Sequence, residues 1–364
     1  MRYSDVMTPH LNRRLLLGRR PTWTATLDDF VLDELPSPSP VEGEVLVRVL
    51  WVAFDPAMRG WMNDGPSYAP PVPLGAVMRG HGVGEVVASG VDSVAVGTLV
   101  TGNFGWQTHA VARFEEGTHS HLEHVSDPSA SRPVARRVPD GVPPTSVLGV
   151  LGTTGLTAYF GMLELGAPRP GDVVLVSGAA GATGSVAGQL AKLAGATVIG
   201  IAGGAEKGTW LKEVAGFDHV VDYKSEDVGA RLAELAPTGV DVFFDNVAGK
   251  VLEAGISNIA QRGTVVLCGG ISSGYSDEAV AYGPTNLSTI TVRSCTVKGF
   301  IVTDFADQFD EATQRLSRWV QDGSLVWADD IVEGEVTDAV ATMNRLFDGK
   351  NLGKQILQLS PPSA

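Results

Sequence analysis

The chain has 364 residues, 44% of them apolar and 19% charged, a length and balance that suit two packed domains better than one. A formal net charge of -14 repels phosphate backbones and argues against nucleic acid as a partner. Two cysteines, Cys268 and Cys295, are too few for a disulfide framework, and no apolar run resembles a signal peptide or is long enough to span a bilayer; the expectation is a cytoplasmic protein with no membrane partner.

In chain order, the first elements are short strands. Val45-Leu46-Val47-Arg48-Val49 follows the breakers Pro36, Pro38, Pro40 and Gly43. Gly82 to Val87 and Gly97 to Val100 continue the pattern, and strands of this length with Gly and Pro between them predict a small barrel. Residues 117–137 are polar and hold His119, His121 and His124 beside Glu123; they read as a loop with chance histidines. A helix is expected from Leu156 to Leu165, closed by Gly166.

From there the period changes. Asp172 to Ser177 is an almost wholly apolar strand, as parallel strands buried on both faces are. A Gly-rich turn, a helix from Ser185 to Leu193, a strand Thr197 to Ile201 and a helix Lys207 to Val214 follow. Val220 to Asp222, Val240 to Asp245 and Gly263 to Leu267 read as further strands. This alternation predicts an α/β, doubly wound sheet. A helix is expected at Asp338 to Phe347 with Thr337 as its N-cap, then a strand Gln355 to Leu357. The expected domains are a β-rich substrate domain over 1–143, a Rossmann nucleotide-binding domain over 144–315, and a C-terminal segment over 316–364 that returns to the first.

The strongest local motif is Ser177-Gly178-Ala179-Ala180-Gly181-Ala182-Thr183-Gly184, between an apolar strand and a helix. Aligned to G-x-G-x-x-G, its key positions are Ala179, Gly181 and Gly184. Gly181 would let the backbone approach a pyrophosphate and Gly184 would let the helix pack on the strand, with the helix N-terminus facing the anion. The plainer reading is a tight strand-to-helix turn; the context favours dinucleotide binding. An NAD site carries Asp or Glu at the end of the second strand, roughly 20 residues on. Here that strand ends Ile201-Ala202-Gly203-Gly204, and Lys207 follows. A carboxylate-free corner with a cation suits the 2′-phosphate of NADPH. Lys207 as an ordinary solvated residue, with Glu206 as the acid, is the alternative.

Zinc dehydrogenases of this size need an early Cys or His ligand. Both cysteines lie late in the chain, and His81 in Arg79-Gly80-His81-Gly82 lacks an acidic neighbour. Without a Lewis acid, alcohol oxidation lacks a group for the alkoxide. Reducing an activated C=C bond is easier: hydride adds to the β-carbon, and the charge goes to a carbonyl oxygen that a hydroxyl donor can hold.

Further motifs carry a family likeness. Asn12-Arg13-Arg14, Arg20-Pro21, Asp28-Asp29-Phe30 and Asp55-Pro56-Ala57-Met58-Arg59-Gly60 resemble the opening of the prostaglandin reductase, curcumin reductase and alkenal double-bond reductase group of zinc-independent medium-chain dehydrogenase/reductases. So do Leu148 to Gly152, Gly155 to Tyr159, Asp245-Asn246-Val247, Cys268-Gly269-Gly270-Ile271-Ser272, Gly283 to Leu287, Gly299 to Val302 and Gly349 to Lys354. The resemblance runs along nearly the whole chain. It implies a chaperonin-10-like (GroES-like) barrel beside the Rossmann domain, a homodimer, and NADPH-dependent reduction of the C=C bond of small α,β-unsaturated ketones and aldehydes. By the same resemblance, Ala182, Thr183, Gly184 and Ser185 face the pyrophosphate, and Lys207 and Tyr223 hold the 2′-phosphate. Asn246, Cys268, Gly269, Gly270, Ile271, Ser272, Phe300, Ile301, Val302 and Asn351 line the rest of the cofactor. Tyr275 is the catalytic hydroxyl near the substrate carbonyl.

The departures from the family pattern fall on the substrate side. Ala57 stands where the group has Tyr, Thr153-Thr154 replaces a Met-Pro pair, Gly274 is an extra residue before Tyr275, and the loop 117–137 is longer. Two other readings stay open: an NADPH quinone reductase, and a non-catalytic NADPH-binding protein.

Overall fold

The computed structural model describes residues 10–65, 67–117, 132–272 and 282–359. The chain divides into two units, one made of Met1–Thr145, Ile331–Asn344 and Ile356–Ala364, the other of Ser146–Asp330 and Arg345–Gln355.

The first unit is organised by the strand Glu44–Phe54, whose Val45, Val47, Leu50 and Ala53 are fully buried. It pairs antiparallel with Gly82–Ser89 on one side and with His109–Phe114 on the other, Val45 facing Ser89 and Ala112. Leu99–Gly102 pairs with Gly82–Ser89, and Val134–Arg137 joins Leu99–Gly102 to His109–Phe114. The ring therefore closes into the expected barrel. Register shifts at Leu46/Val47 and Val49/Trp51 supply the curvature that closure needs.

Val134–Arg137 corrects the loop expected over 117–137: its end is a strand, because Val134 and Ala135 are buried among the barrel strands. Residues 118–131, with His119, His121, Glu123 and His124, lie outside the described residues. The Asp-Pro-Ala-Met-Arg-Gly motif builds the short helix Ala57–Trp61. Its Arg59 is 1% exposed and donates to the carbonyls of Pro21 and Trp23 and to Asn63 Oδ1, so it clamps the chain at 21–23.

The second unit holds a six-stranded sheet, all parallel, in the spatial order His219–Asp222, Thr197–Ala202, Val173–Ser177, Val240–Asp245, Ile259–Leu267, Thr296–Gly299. Numbered along the chain this is 3-2-1-4-5-6, the doubly wound order, so the direction of winding reverses between Val173–Ser177 and Val240–Asp245. Ligands of such sheets sit outside the carboxyl ends of the strands at that switch. One face of the sheet is sealed by Leu175, Ile199, Val221, Phe243 and Val265 against Leu232, Leu252 and Ile256.

Three element boundaries differ from the sequence expectation. The helix after the Gly-rich turn is Ala182–Leu193, three residues earlier than Ser185, because glycines that usually mark a helix end are here its cap and first turn. The expected helix Leu156–Leu165 is an α-helix, Thr153–Tyr159, that widens into a π-helix, Phe160–Gly166, closed by Ala167 at φ 46°. Thr337 is not an N-cap: a 3-10 turn, Val336–Asp338, precedes the helix Ala339–Phe347, and the Glu335 N–H donates to Asp338 Oδ2 at 2.8 Å.

Candidate cofactor site

The strand Val173–Ser177 ends on a buried Ser177 and passes into Gly178, at φ 57°. Gly178, not the Ala179 chosen by alignment, is the turn-making residue. Ala179 is fully buried, its N–H donates to Ile201 O at 3.0 Å, and its Cβ would meet one added at Gly200 at 2.9 Å; it joins the first strand to the second. Gly181 caps the helix in extended conformation with no side-chain cap bond. Ala182 and Thr183 follow, half-buried, in the first turn. First-turn N–H groups have no carbonyl within their own helix, so this end suits an anion. Gly184 shows why no side chain is tolerated: a Cβ there would lie 2.3 Å from the Gly178 carbonyl oxygen. Ser185 is 1% exposed and its Oγ lies 3.5 Å from Ala182 O, inside the helix.

The tail of the unit crosses this turn. Gly353 N–H donates to Ala180 O at 2.8 Å, and Asn351 Nδ2 donates to Gly353 O at 2.9 Å. The same tail fixes Lys207, whose Nζ donates to Gly349 O at 2.7 Å across 142 residues of sequence. Burial, then repulsion from Lys224, holds the Lys207 ammonium below its ordinary pKa, with Asp330 and Glu206 opposing. Tyr223 stands close by: a Cβ at Gly203 would meet its Cε1 at 2.7 Å, and one at Gly349 its hydroxyl at 3.7 Å. Glu206 is exposed on the helix Ala205–Glu213.

The third part is the strand end across the switch. Asp245, fully buried, accepts from Ser177 Oγ at 2.6 Å, from Val247 N–H at 3.2 Å and from Ala248 N–H at 2.9 Å. Burial pushes its pKa up against these bonds. Asn246 donates its N–H to Ser177 Oγ at 2.8 Å and its Nδ2 to Ser177 O at 2.7 Å. Sequence reading named Asn246 but missed Asp245 and Ser177, which pin the two strand ends together. A polar pair at the ends of two apolar strands was the available signal.

Cys268 and Gly269 hang from the same strand end, both N–H groups donating to Asp245 O. Ile271 N–H bonds Asn246 O, and Ser272 bonds Val247 O through N–H and Oγ. Gly270 lies within this turn, half-buried. Burial, with Asp245 beside it, pushes the Cys268 thiol up to about 12. Phe300 packs against the π-helix at Gly161, Ile301 is exposed and Val302 buried. Tyr275 lies outside the described residues.

The residues present fit a dinucleotide phosphate: a helix first turn in which a Cβ at Gly184 would lie 2.3 Å from the Gly178 carbonyl oxygen, Lys207 after the second strand with Lys224 after the third, and no carboxylate at Gly203. In the first unit, His81 Nε2 lies 2.9 Å from Thr101 Oγ1. No group of three or more His, Cys, Asp or Glu able to hold a metal ion occurs among the described residues.

Residues 13–120 match the family model described as N-terminal domain of oxidoreductase, and residues 182–318 the one described as zinc-binding dehydrogenase. The chain is 34% identical to the NADPH-dependent curcumin reductase of Escherichia coli over 96% of its own length and 97% of that protein's. It is 33% identical to the 2-alkenal reductase (NADP(+)-dependent) of Nicotiana tabacum, over 87% and 88%. Among solved structures, CurA from Vibrio vulnificus in complex with NADPH superimposes with a TM-score of 0.83 at 33% identity, over 96% of this chain and 100% of that one.

Proposed function

The chain belongs to the medium-chain dehydrogenase/reductase family, in the group of the curcumin, prostaglandin and 2-alkenal reductases; it is an NADPH-dependent oxidoreductase, and from that premise we propose that it reduces the C=C bond of α,β-unsaturated ketones and aldehydes without zinc. The observation that carries the reading is the cofactor corner itself: Lys207 held by Gly349 O, with Gly203 where an NAD site has its acid. The names of the relatives supply the acceptor class.

When bound, NADPH supplies a hydride. The chain's own residues do the rest. Ala182, Thr183 and Gly184 present first-turn N–H groups to the pyrophosphate. Lys207 and Tyr223 hold the 2′-phosphate. Asp245 and Asn246 both hold Ser177, which ties the two strand ends under the site together. Hydride added at the β-carbon would move charge to the carbonyl oxygen, which the Tyr275 hydroxyl would hold by donating to it, and the α-carbon would then take a proton from water. The barrel supplies no cysteine for a zinc site, since both cysteines lie in the second unit.

The proposal extends to a cytoplasmic homodimer. No helix among the described residues is long and apolar enough to cross a membrane. The parallel sheet ends on Thr296–Gly299, with Val297 43% exposed, an edge suited to pairing with a second copy. Light scattering coupled to size exclusion reads the mass directly.

The activity test is initial NADPH oxidation with an enone, an enal, a para-quinone and a saturated ketone, with NADH in parallel and product analysis. Enone and enal turnover with the C=C bond reduced supports the proposal. Turnover of the quinone alone replaces it with a quinone reductase. Tyr275→Phe is expected to lower kcat by about tenfold or more while leaving NADPH affinity unchanged; unchanged kcat removes Tyr275 from the mechanism.

A further inference from the structure

The 2′-phosphate role of Lys207, on which this inference rests, leaves a neighbouring cation unassigned. Lys224 follows Tyr223 directly after the strand His219–Asp222. Its backbone is held in place: the Lys224 N–H donates to Asp222 Oδ1 at 3.0 Å, and the same oxygen accepts from the Gly204 N–H at 3.1 Å. One carboxylate therefore ties the turn after the second strand of the sheet to the turn after the third. Tyr223 N–H adds a bond to Ala202 O at 3.2 Å. The side chain of Lys224 then crosses Gly203, where an added Cβ would meet its Cε at 2.9 Å.

Gly203 thus has two consequences. It omits the acid that would hold a ribose hydroxyl, and it leaves the space that the stem of Lys224 and the ring of Tyr223 occupy. The charges around the corner are Lys207, Lys224, Glu206, Asp222 and Asp330. Asp330 is engaged by Arg345 at 3.1 Å and by Leu352 N–H at 3.3 Å. Asp222 Oδ1 accepts from the two backbone N–H groups, which with a smaller contribution from the Lys224 charge hold its carboxyl below the ordinary pKa. Glu206 is exposed. Among the described residues no carboxylate forms a salt bridge with Lys224 or Lys207, while the two ammonium groups are near enough for Lys224 to disfavour the charge on Lys207. Like charges set side by side cost stability unless an anion comes between them.

We propose that Lys224 is a second phosphate-binding cation, which brackets the 2′-phosphate of NADPH with Lys207 across Gly203 and contributes part of the discrimination against NADH. Lys207, pinned to Gly349 O, is the fixed side of the bracket. Lys224, exposed and in no salt bridge among the described residues although the Asp222 carboxylate attracts it, is the adjustable side.

The test is calorimetric titration of 2′,5′-ADP and of 5′-AMP into the full chain and into Lys224→Ala, Lys224→Gln and Lys207→Ala. Lys224→Ala and Lys224→Gln are expected to weaken 2′,5′-ADP about fivefold, the scale of one charge-assisted contact at an exposed position. Binding of 5′-AMP should not change, and the salt dependence of 2′,5′-ADP binding should become shallower. Lys207→Ala is expected to weaken 2′,5′-ADP more. Equal loss of 5′-AMP and 2′,5′-ADP in both Lys224 variants overturns the proposal, since it marks a structural role. So does wild-type affinity in those variants while Lys207→Ala is weakened; the 2′-phosphate role of Lys207 then survives. A wild-type chain that binds the two nucleotides alike overturns both together.

Discussion

The two ends of the cofactor site are built in opposite ways. The end we propose for the pyrophosphate is backbone and absence: Gly178 makes the turn, Gly181 caps the helix, and Gly184 lies where a Cβ would be 2.3 Å from a carbonyl oxygen. The end we propose for the 2′-phosphate is long side chains: Lys207 from one helix, Tyr223 and Lys224 from the strand end beside it, and a carbonyl from residue 349. A backbone end recognises what every dinucleotide shares. A side-chain end recognises what only one of them has. The difference predicts that damage to the first is indiscriminate and damage to the second is selective.

The largest effect is expected at the first end. Gly184→Val forces branched carbon against backbone that cannot move without opening the strand-to-helix turn, so binding of NADPH and NADH should fall together, by about 100-fold or more, with a lowered Tm. Fluorescence titration with both cofactors and a melting curve check this; loss of NADPH alone would break the comparison.

Lys207→Ala is the next largest and the sharpest contrast. It removes a charge-assisted contact of about 1.5–3 kcal/mol, roughly 10- to 100-fold in KM for NADPH, and little for NADH. Equal losses with both cofactors would take Lys207 out of the 2′-phosphate role.

Asn246→Ala should have a smaller effect, because it leaves Asp245 holding Ser177 but loses the 2.7 Å bond to Ser177 O. About 1 kcal/mol is expected in stability, read as a shift in denaturation midpoint, with the NADPH-to-NADH ratio unchanged.

The smallest effect is a shift with pH. The Lys207 ammonium has its pKa below the ordinary 10.5, through burial first and Lys224 second, against Asp330 and Glu206. The charged form binds phosphate, so the share of NADPH selectivity that Lys207 contributes is present below that lowered pKa and falls as pH rises through it, earlier than for an ordinary lysine. Lys224→Ala should move the loss to higher pH by removing the repulsion. Binding ratios measured from pH 7 upward decide it; a loss unmoved by Lys224→Ala would separate the two lysines.

Much of this was legible in the sequence, for a stated reason. Apolar runs such as Val173 to Ser177 and Val240 to Asp245 have few ways to be buried other than in a parallel sheet, and a glycine cluster between strand and helix has few other uses. The absence of acid after Ile201, with Lys207 close behind, likewise stood in consecutive residues. Where local rules conflicted, they misplaced details: Gly181 and Gly184 pushed the expected helix start to Ser185, and alignment chose Ala179 in place of Gly178.

Other features were decided only by the tertiary structure. Nothing near Lys207 in sequence announces Gly349, 142 residues on, or the tail that brings Gly353 onto Ala180. Asp245 and Ser177, 68 residues apart, become one hydrogen-bonded unit because two strands distant in sequence are neighbours in the sheet. Lys224 can reach across Gly203 because that residue has no side chain to keep it out. The chain's local chemistry thus set which elements form and which ligand class they suit. Sheet order and the returning tail set which side chains meet, since contacts of such long separation depend on how buried surfaces are matched across the whole unit.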